Sequence, residues 1–168
     1  YHGKLYYVEY DRNSVTAWDG RKNSIFWSKP GCGPSAVIAT AQGEFLTTCY
    51  DSGTIGRISS DGRDLPPYTH DGNGNPFIGP NDFAPDRHGG IYFTASGTPG
   101  HMIDGKIFYI AADGKITQKA ADVHSANGVD LHGTLEFGLF GFIGRPLFAW
   151  VRWTQQHWTS HCGWTIIL

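Results

Sequence analysis

Short runs of β-branched and aromatic residues recur along the chain, separated by glycine, aspartate and asparagine. Leu5-Tyr6-Tyr7-Val8, Phe45-Leu46-Thr47-Thr48, Ile91-Tyr92-Phe93-Thr94 and Ile107-Phe108-Tyr109-Ile110 are the clearest. Each is too short for a globular helix and too rich in β-formers to prefer one, so each predicts a strand. Asp61-Gly62 and Asp113-Gly114 stand between such runs and predict hairpin turns, because glycine takes the positive φ that tight turns need.

The pattern repeats. Gly33-Pro34-Ser35 returns as Gly79-Pro80-Asn81 and again as Ser125-Ala126-Asn127, so the third positions are spaced by 46 residues twice. A second element aligns Gln42-Gly43-Glu44-Phe45-Leu46-Thr47-Thr48 with Gly89-Gly90-Ile91-Tyr92-Phe93-Thr94-Ala95. His2-Gly3-Lys4-Leu5 has the same form, and His132-Gly133-Thr134-Leu135 begins it once more. A third element aligns Thr54–Gly62 with Gly105–Gly114. Four strands in ~45 residues is the blade of a β-propeller. The alternative is an antiparallel sandwich or barrel that happens to repeat. The chain has 168 residues, which hold fewer than four blades at ~45 residues each. Repeats fall at about 1–32, 33–78 and 79–124, with another starting at 125, and the first lacks its opening strand.

Composition narrows the classes. Hydrophobic residues make up 40% and charged residues 17%, which argues against disorder. The net charge is −2, so there is no broad basic field for nucleic acid. No uncharged apolar run reaches the ~18 residues of a membrane span. The nearest, Phe137 to Trp153, is interrupted by Arg145 and Pro146. Cys32, Cys49 and Cys162 are an odd set, which argues against a disulfide scaffold while leaving one bridge open. No signal peptide is visible at Tyr1, and the expected location is cytoplasmic.

The motifs now on the page resemble the SMP-30/gluconolactonase (regucalcin-like) family of calcium-dependent lactonases. The stretch Gly79-Pro80-Asn81-Asp82-Phe83-Ala84-Pro85-Asp86-Arg87-His88-Gly89-Gly90-Ile91-Tyr92-Phe93-Thr94 is similar to the family's P-N-D-x-x-x-D-x-x-G signature. Ser125-Ala126-Asn127-Gly128-Val129-Asp130-Leu131 is similar to its P-N-G segment. The resemblance covers residues 1–135. It implies an all-β propeller of the six-bladed type, of which three to three and a half blades are present. It also implies a hydrolase that opens sugar lactones, with water attacking a carbonyl polarised by a divalent metal, most often Ca²⁺, with Zn²⁺ or Mg²⁺ as alternatives. By resemblance Asn127 is a metal ligand and Asn81 is the substrate-side channel residue. The family's Glu ligand, and the Asp that is both ligand and proposed general base, have no counterpart in this sequence. No catalytic residue is therefore assigned, and activity of this chain is left open.

The repeat groups Asn81 and Asn127 independently of family, since equivalent positions on the innermost strands of successive blades converge on one axis. Ser35 is the third member and offers a hydroxyl. Ca²⁺ takes ~6–8 oxygen ligands, typically carboxylates, amide carbonyls and water. Two neutral amides do not compensate a dication. Without the repeat, Asn127-Gly128 reads as a turn. Asp82 alternates to the opposite strand face and reads as a structural hydrogen-bonder. Asp86 and Asp130 read as turn caps, and Glu9 as a strand-end carboxylate. Arg12 and Arg21 read as solvated charges, and His101 and His124 as exposed loop residues. Asp71-Gly72-Asn73-Gly74-Asn75 begins like a calcium loop but lacks the later Glu of an EF-hand, so a flexible loop is expected. His157, His161 and Cys162 have zinc-like spacing with no fourth ligand nearby.

From 136 to 168 the character changes. Only Glu136, Arg145 and Arg152 are charged, and Trp150, Trp153, Trp158 and Trp164 are four of the six tryptophans. One reading of this atypical tail is a shifted reading frame, which comparison with the other frames of the coding DNA decides. The other is an apolar segment covering the exposed blade edge or a partner. Open edges and aromatic patches invite self-association. The sequence therefore carries two functional expectations: a lactonase acting on a small-molecule lactone, and a non-catalytic propeller module that binds a partner through its loops or open edge. A truncated, inactive gene product is a third.

Overall fold

Four antiparallel sheets follow one another along the chain, each pairing its strands in chain order. The first holds β1 (Leu5–Glu9), β2 (Ser14–Trp18) and β3 (Asn23–Ser28). The second holds β4 (Pro34–Ala39), β5 (Phe45–Cys49), β6 (Thr54–Ile58) and β7 (Asp64–Tyr68). The third holds β8 (Pro80–Pro85), β9 (Ile91–Ala95), β10 (Gly105–Ile110) and β11 (Ile116–Val123). The fourth holds β12 (Gly128–His132), β13 (Glu136–Phe142), β14 (Pro146–Thr154) and β15 (His157–His161). The structure, a computed structural model, describes residues 1–101 and 103–130 in full, and the backbone of 131–132, 136–142, 146–154 and 157–161. Among the described residues helix is confined to one 3-10 turn, Tyr10–Arg12, and no helix is long and apolar enough to cross a membrane.

This is an all-β partial propeller. β4, β8 and β12 each form the edge of their sheet where the chain enters it, and they lie side by side. The first sheet lacks that strand. β1 occupies the place that β5 holds in the second sheet: Glu9 faces Ser14 as Cys49 faces Thr54.

Because side chains alternate across each strand, both faces of an inner sheet are apolar and the core lies between sheets. Val15 and Trp27 from the first sheet meet Phe45 and Ile58 from the second. Leu46 and Ile55 from the second meet Phe83, Phe93, Phe108 and Ile110 from the third, with Phe77 between. Phe93 and Phe108 stack at 5.0 Å, and Phe77 meets them edge-on at 5.1 and 5.2 Å. Burial of each such ring contributes about 1.5–3 kcal/mol.

Cys32 and Cys49 form the one bridge the cysteine count left open, joining the approach to β4 with the end of β5 across 17 residues. Closing a loop of that size stabilises the fold by about 3 kcal/mol in the chain-entropy account. The same place one repeat later holds Ile78 and Ala95, and the backbone bond Asp51 N–H to Cys32 O recurs there as Gly97 N–H to Ile78 O.

The strand phase is 46 residues from β4 to β8 and from β5 to β9, which corrects the alignment of Gly43 with Gly90 by one position. Gly43 and Gly89 are the equivalent turn glycines, with φ of +84° and +83°. Gly90 serves a different need: a Cβ there would meet the Tyr109 hydroxyl oxygen at 2.1 Å.

That close approach brings Tyr109 onto Asp86. Tyr109 donates to Asp86 Oδ2 at 2.7 Å, and the His88 and Gly90 amides donate to Oδ1 at 2.8 and 2.7 Å. Asp86 therefore caps its turn, as expected. Burial alone would raise the Asp86 carboxyl, but these donors outweigh it and hold it below the usual carboxylate value. Burial first, and then the bond to Asp86, push the Tyr109 phenol up to about 12. The unfolded chain ionises this phenol near pH 10. The stability it contributes is thus complete below about pH 10 and lost as pH rises toward about 12. Denaturant melts across that window should show this loss, and Tyr109→Phe should remove it; an identical pH profile in the variant contradicts the assignment.

Candidate functional site

β4, β8 and β12 begin with the same backbone step. Gly33, Gly79 and Ser125 have φ of +57°, +59° and +40°, at the 46-residue spacing of the sequence repeat. β4 and β8 then start irregularly. In β4 the ladder slips between Pro34 and Ala36, leaving Ser35 without a partner across the sheet. In β8 it slips between Pro80 and Phe83, so that Asn81 and Asp82 together stand opposite Thr94. A bulge of this kind leaves a backbone amide unpaired and redirects a side chain.

Threonines complete both bulges. The Ala36 amide donates to Thr48 Oγ1 at 2.8 Å, and the Asp82 amide donates to Thr94 Oγ1 at 3.2 Å. The same hydroxyls then donate to the next sheet: Thr48 Oγ1 to Asn81 O at 2.9 Å, and Thr94 Oγ1 to Asn127 O at 2.5 Å. Both threonines are fully buried. One hydroxyl has one proton and two lone pairs, so accepting one bond and donating another fits its capacity. Every atom of the first bridge recurs 46 residues later in the second.

Further bonds fix the same strand starts. Ser35 Oγ donates to Asn81 O at 2.9 Å, so this hydroxyl, expected as a possible ligand group, is already engaged by the backbone. Asp82 accepts from the Val129 amide at 3.0 Å and the Phe83 amide at 2.9 Å. It is the structural hydrogen-bonder that its strand position led us to expect. Ser96 Oγ donates to Ala126 O at 2.6 Å.

Asn81 and Asn127 are half-buried, and neither side-chain amide has a hydrogen-bond partner among the described residues. Asn81 O accepts from Thr48 and Ser35, and Asn127 O from Thr94, while their side chains keep two donors and an acceptor each. Thr94 joins them, since it contacts Asp82 N next to Asn81 and also Asn127 O. Sequence reasoning missed Thr48 and Thr94. Their own 46-residue separation was the available signal.

Other candidates fall elsewhere. His101 and His124 are exposed. Glu9 ends β1, accepts from the Thr16 hydroxyl and pairs with Arg12 at 3.6 Å. Asp130 lies within β12 rather than at a turn. The loop expected to be flexible is instead a hydrogen-bonded turn. Asp71, only 6% exposed, accepts from the Asn73 and Asn75 amides at 2.9 Å each. The Gly72 amide also docks on Ile116 O at 2.9 Å. Cys162 and the side chains of His157 and His161 lie outside the described residues. A cavity of about 160 Å³ opens near the turns at Thr40 and Ala111, away from Asn81 and Asn127. Arg57 in its wall is already paired with Glu44 at 2.9 Å.

Asn81 and Asn127 fit as neutral oxygen donors to a cation, but the described residues do not complete a calcium site around them. Asp82, the adjoining carboxylate, is occupied by two backbone amides. Among the described residues no group of three or more His, Cys, Asp or Glu side chains is placed to hold a metal ion.

The stacked antiparallel sheets, with β4 and β8 bulged at the inner edge of theirs, define a partial β-propeller. The chain belongs to the SMP-30/Gluconolactonase/LRE-like family, whose sequence model matches residues 1–134. No curated protein matches the sequence. Among solved structures it is similar to a gluconolactonase from Xanthomonas campestris, at 17% identity and TM-score 0.78, covering 95% of this chain and 58% of that one. It is also similar to a virginiamycin B lyase from Staphylococcus aureus, at 18% identity and TM-score 0.72, covering 95% and 52%. A streptogramin B lyase matches at 16% identity and TM-score 0.70, covering 95% and 51%. The chain thus spans little more than half the length of these structures, and at such identities the likeness concerns the fold.

Asp82 generates a test of the inter-sheet ties. Hydrogen bonds to a charged acceptor are worth about 1.5–3 kcal/mol, so Asp82→Ala should lower unfolding free energy by about that amount in urea melts. A change below ~0.5 kcal/mol, the range of ordinary surface substitutions, would show that the Val129 contact carries no load.

Proposed function

We propose that this chain is the part of a lactone-hydrolysing propeller that carries two amides of its site, Asn81 toward substrate and Asn127 toward the metal. The observation behind this is the pair of unpartnered asparagine side chains on equivalent, backbone-fixed strand starts. Family membership supports the same reading. In the reaction, water adds to the lactone carbonyl carbon, the ring C–O bond breaks, and the ring oxygen takes up a proton to give the open hydroxy acid. Asn81 Nδ2 would donate to the substrate oxygen that gains negative charge, the kind of fixed donor that stabilises such a transition state. Asn127 Oδ1 is the atom that would hold a divalent cation, Ca²⁺ ahead of Zn²⁺ or Mg²⁺. Such an ion, when bound, supplies Lewis acidity. Its carboxylate ligands would have to come from outside the described residues.

A second reading is a non-catalytic module that binds a partner or another copy through its loops or open edge. Two observations favour it: Asp82, the carboxylate next to Asn81, already accepts two backbone amides, and β1 is an edge strand of its sheet. Hydrolysis of a panel of aldonolactones, with CaCl₂ and with chelator, separates the two. The lactonase reading expects chelator-sensitive turnover that falls about 10²-fold in Asn81→Ala and in Asn127→Ala, the effect of removing one such polar group. A folded chain that leaves every lactone intact, with or without calcium, rejects the lactonase reading for this chain and leaves the module.

A further inference from the structure

The two unpartnered asparagines share one feature that packing alone does not require. The main-chain oxygen of each accepts the hydroxyl proton of a threonine from the preceding sheet, Thr48 for Asn81 and Thr94 for Asn127. Threonine does not occupy this place in the other sheets. In the first sheet the position is Val8, which faces Val15 as Thr48 faces Ile55, and the strand that follows brings Ser35 rather than asparagine. In the fourth it is Phe140, which faces Gly128 as Thr48 faces Ala36. Among the described residues, the two threonines at this place each precede a strand that presents an asparagine, and Val8 precedes one that does not.

The bond acts on orientation. An asparagine side chain leaves the backbone one bond from its carbonyl carbon, so fixing that carbonyl limits the directions the amide can take. The bulge amide bound to the same Oγ1 fixes the threonine rotamer in turn. A polar group aimed at a reacting centre works best when its support is locked by such second contacts.

Resting on the lactonase reading above, we propose that Thr48 and Thr94 are positioning residues: Thr48 holds the Asn81 amide in the direction that meets substrate, and Thr94 holds the Asn127 amide in the direction that meets the cation. Neither hydroxyl is free to touch substrate, since each is buried between two backbone groups, and Thr48 Oγ1 also lies 3.0 Å from Ser35 Oγ.

The test uses the purified ¹⁵N-labelled chain and its Thr48→Val, Thr94→Val, Thr48→Ser and Thr94→Ser variants. The readout is the side-chain amide resonances of Asn81 and Asn127, first without ligand and then during titration with CaCl₂ and with D-glucono-1,5-lactone. Thr94→Val should move the Asn127 pair and leave the Asn81 pair in place, and Thr48→Val should do the reverse. Each serine variant, which keeps the hydroxyl, should restore the original position. On titration, apparent affinity at the affected asparagine should weaken about fivefold, the scale of one lost hydrogen bond. Valine variants that lose thermal stability but leave both side-chain pairs unmoved, or that move both pairs together, overturn the proposal. Should one valine variant fail to fold, the other threonine carries the comparison independently. If lactone perturbs neither asparagine in the unmodified chain, the lactonase reading fails, while the ligand-free resonances still decide the positioning role.

Discussion

The structure depends on a threonine hydroxyl placed where a bulged strand leaves an amide unpaired. A propeller blade must begin at its inner edge with an irregular step, because the chain arrives from the outer edge of the preceding blade. That step breaks the ladder, and an unpaired buried amide is costly. Thr48 and Thr94 accept the stranded amides of Ala36 and Asp82 and pass their own protons to the next sheet. One side chain thus repairs a defect within a sheet and ties two sheets together. Apolar packing between the sheets supplies most of the stabilisation but is not directional; these hydroxyl bonds help set the phase in which neighbouring sheets meet.

The same constraint shapes the candidate site. Backbone groups at the strand starts are satisfied by Thr48, Thr94, Ser35, Asp82 and Ser96, while the side chains of Asn81 and Asn127 have no hydrogen-bond partner among the described residues. A family fold can therefore keep its strand starts and amides while the carboxylates of a working site lie elsewhere, since different residues carry the two functions.

Much of this was legible in the sequence. Gly-Pro-x at a 46-residue spacing marked the inner strands, and Asp61-Gly62 and Asp113-Gly114 marked hairpins whose glycines have φ of +87° and +84°. The one-residue slip in aligning Gly43 arose because Gly89 and Gly90 are adjacent glycines with different jobs, a turn and a close approach to Tyr109. The Cys32–Cys49 bridge was not legible, because spacing along the chain does not reveal that two α-carbons lie 4.4 Å apart. The Asp71 turn was misread because its composition suits a loose loop equally well, and only tertiary docking on Ile116 orders it. Thr48 and Thr94 were overlooked because threonine is ordinary in a strand, and their role appears only when the bulge opposite them is seen.

The most direct measurement is amide hydrogen exchange at Ala36 and Asp82 in the native chain. Exchange protection reports whether a backbone amide is held in a stable bond. If the threonine hydroxyls complete the bulges, both amides should be protected to the level of the regular ladder amides of β4 and β8. Exchange of either amide at the rate of an open turn would contradict the account, because the inner strands would then begin without the bond on which sheet phase and asparagine placement both rest.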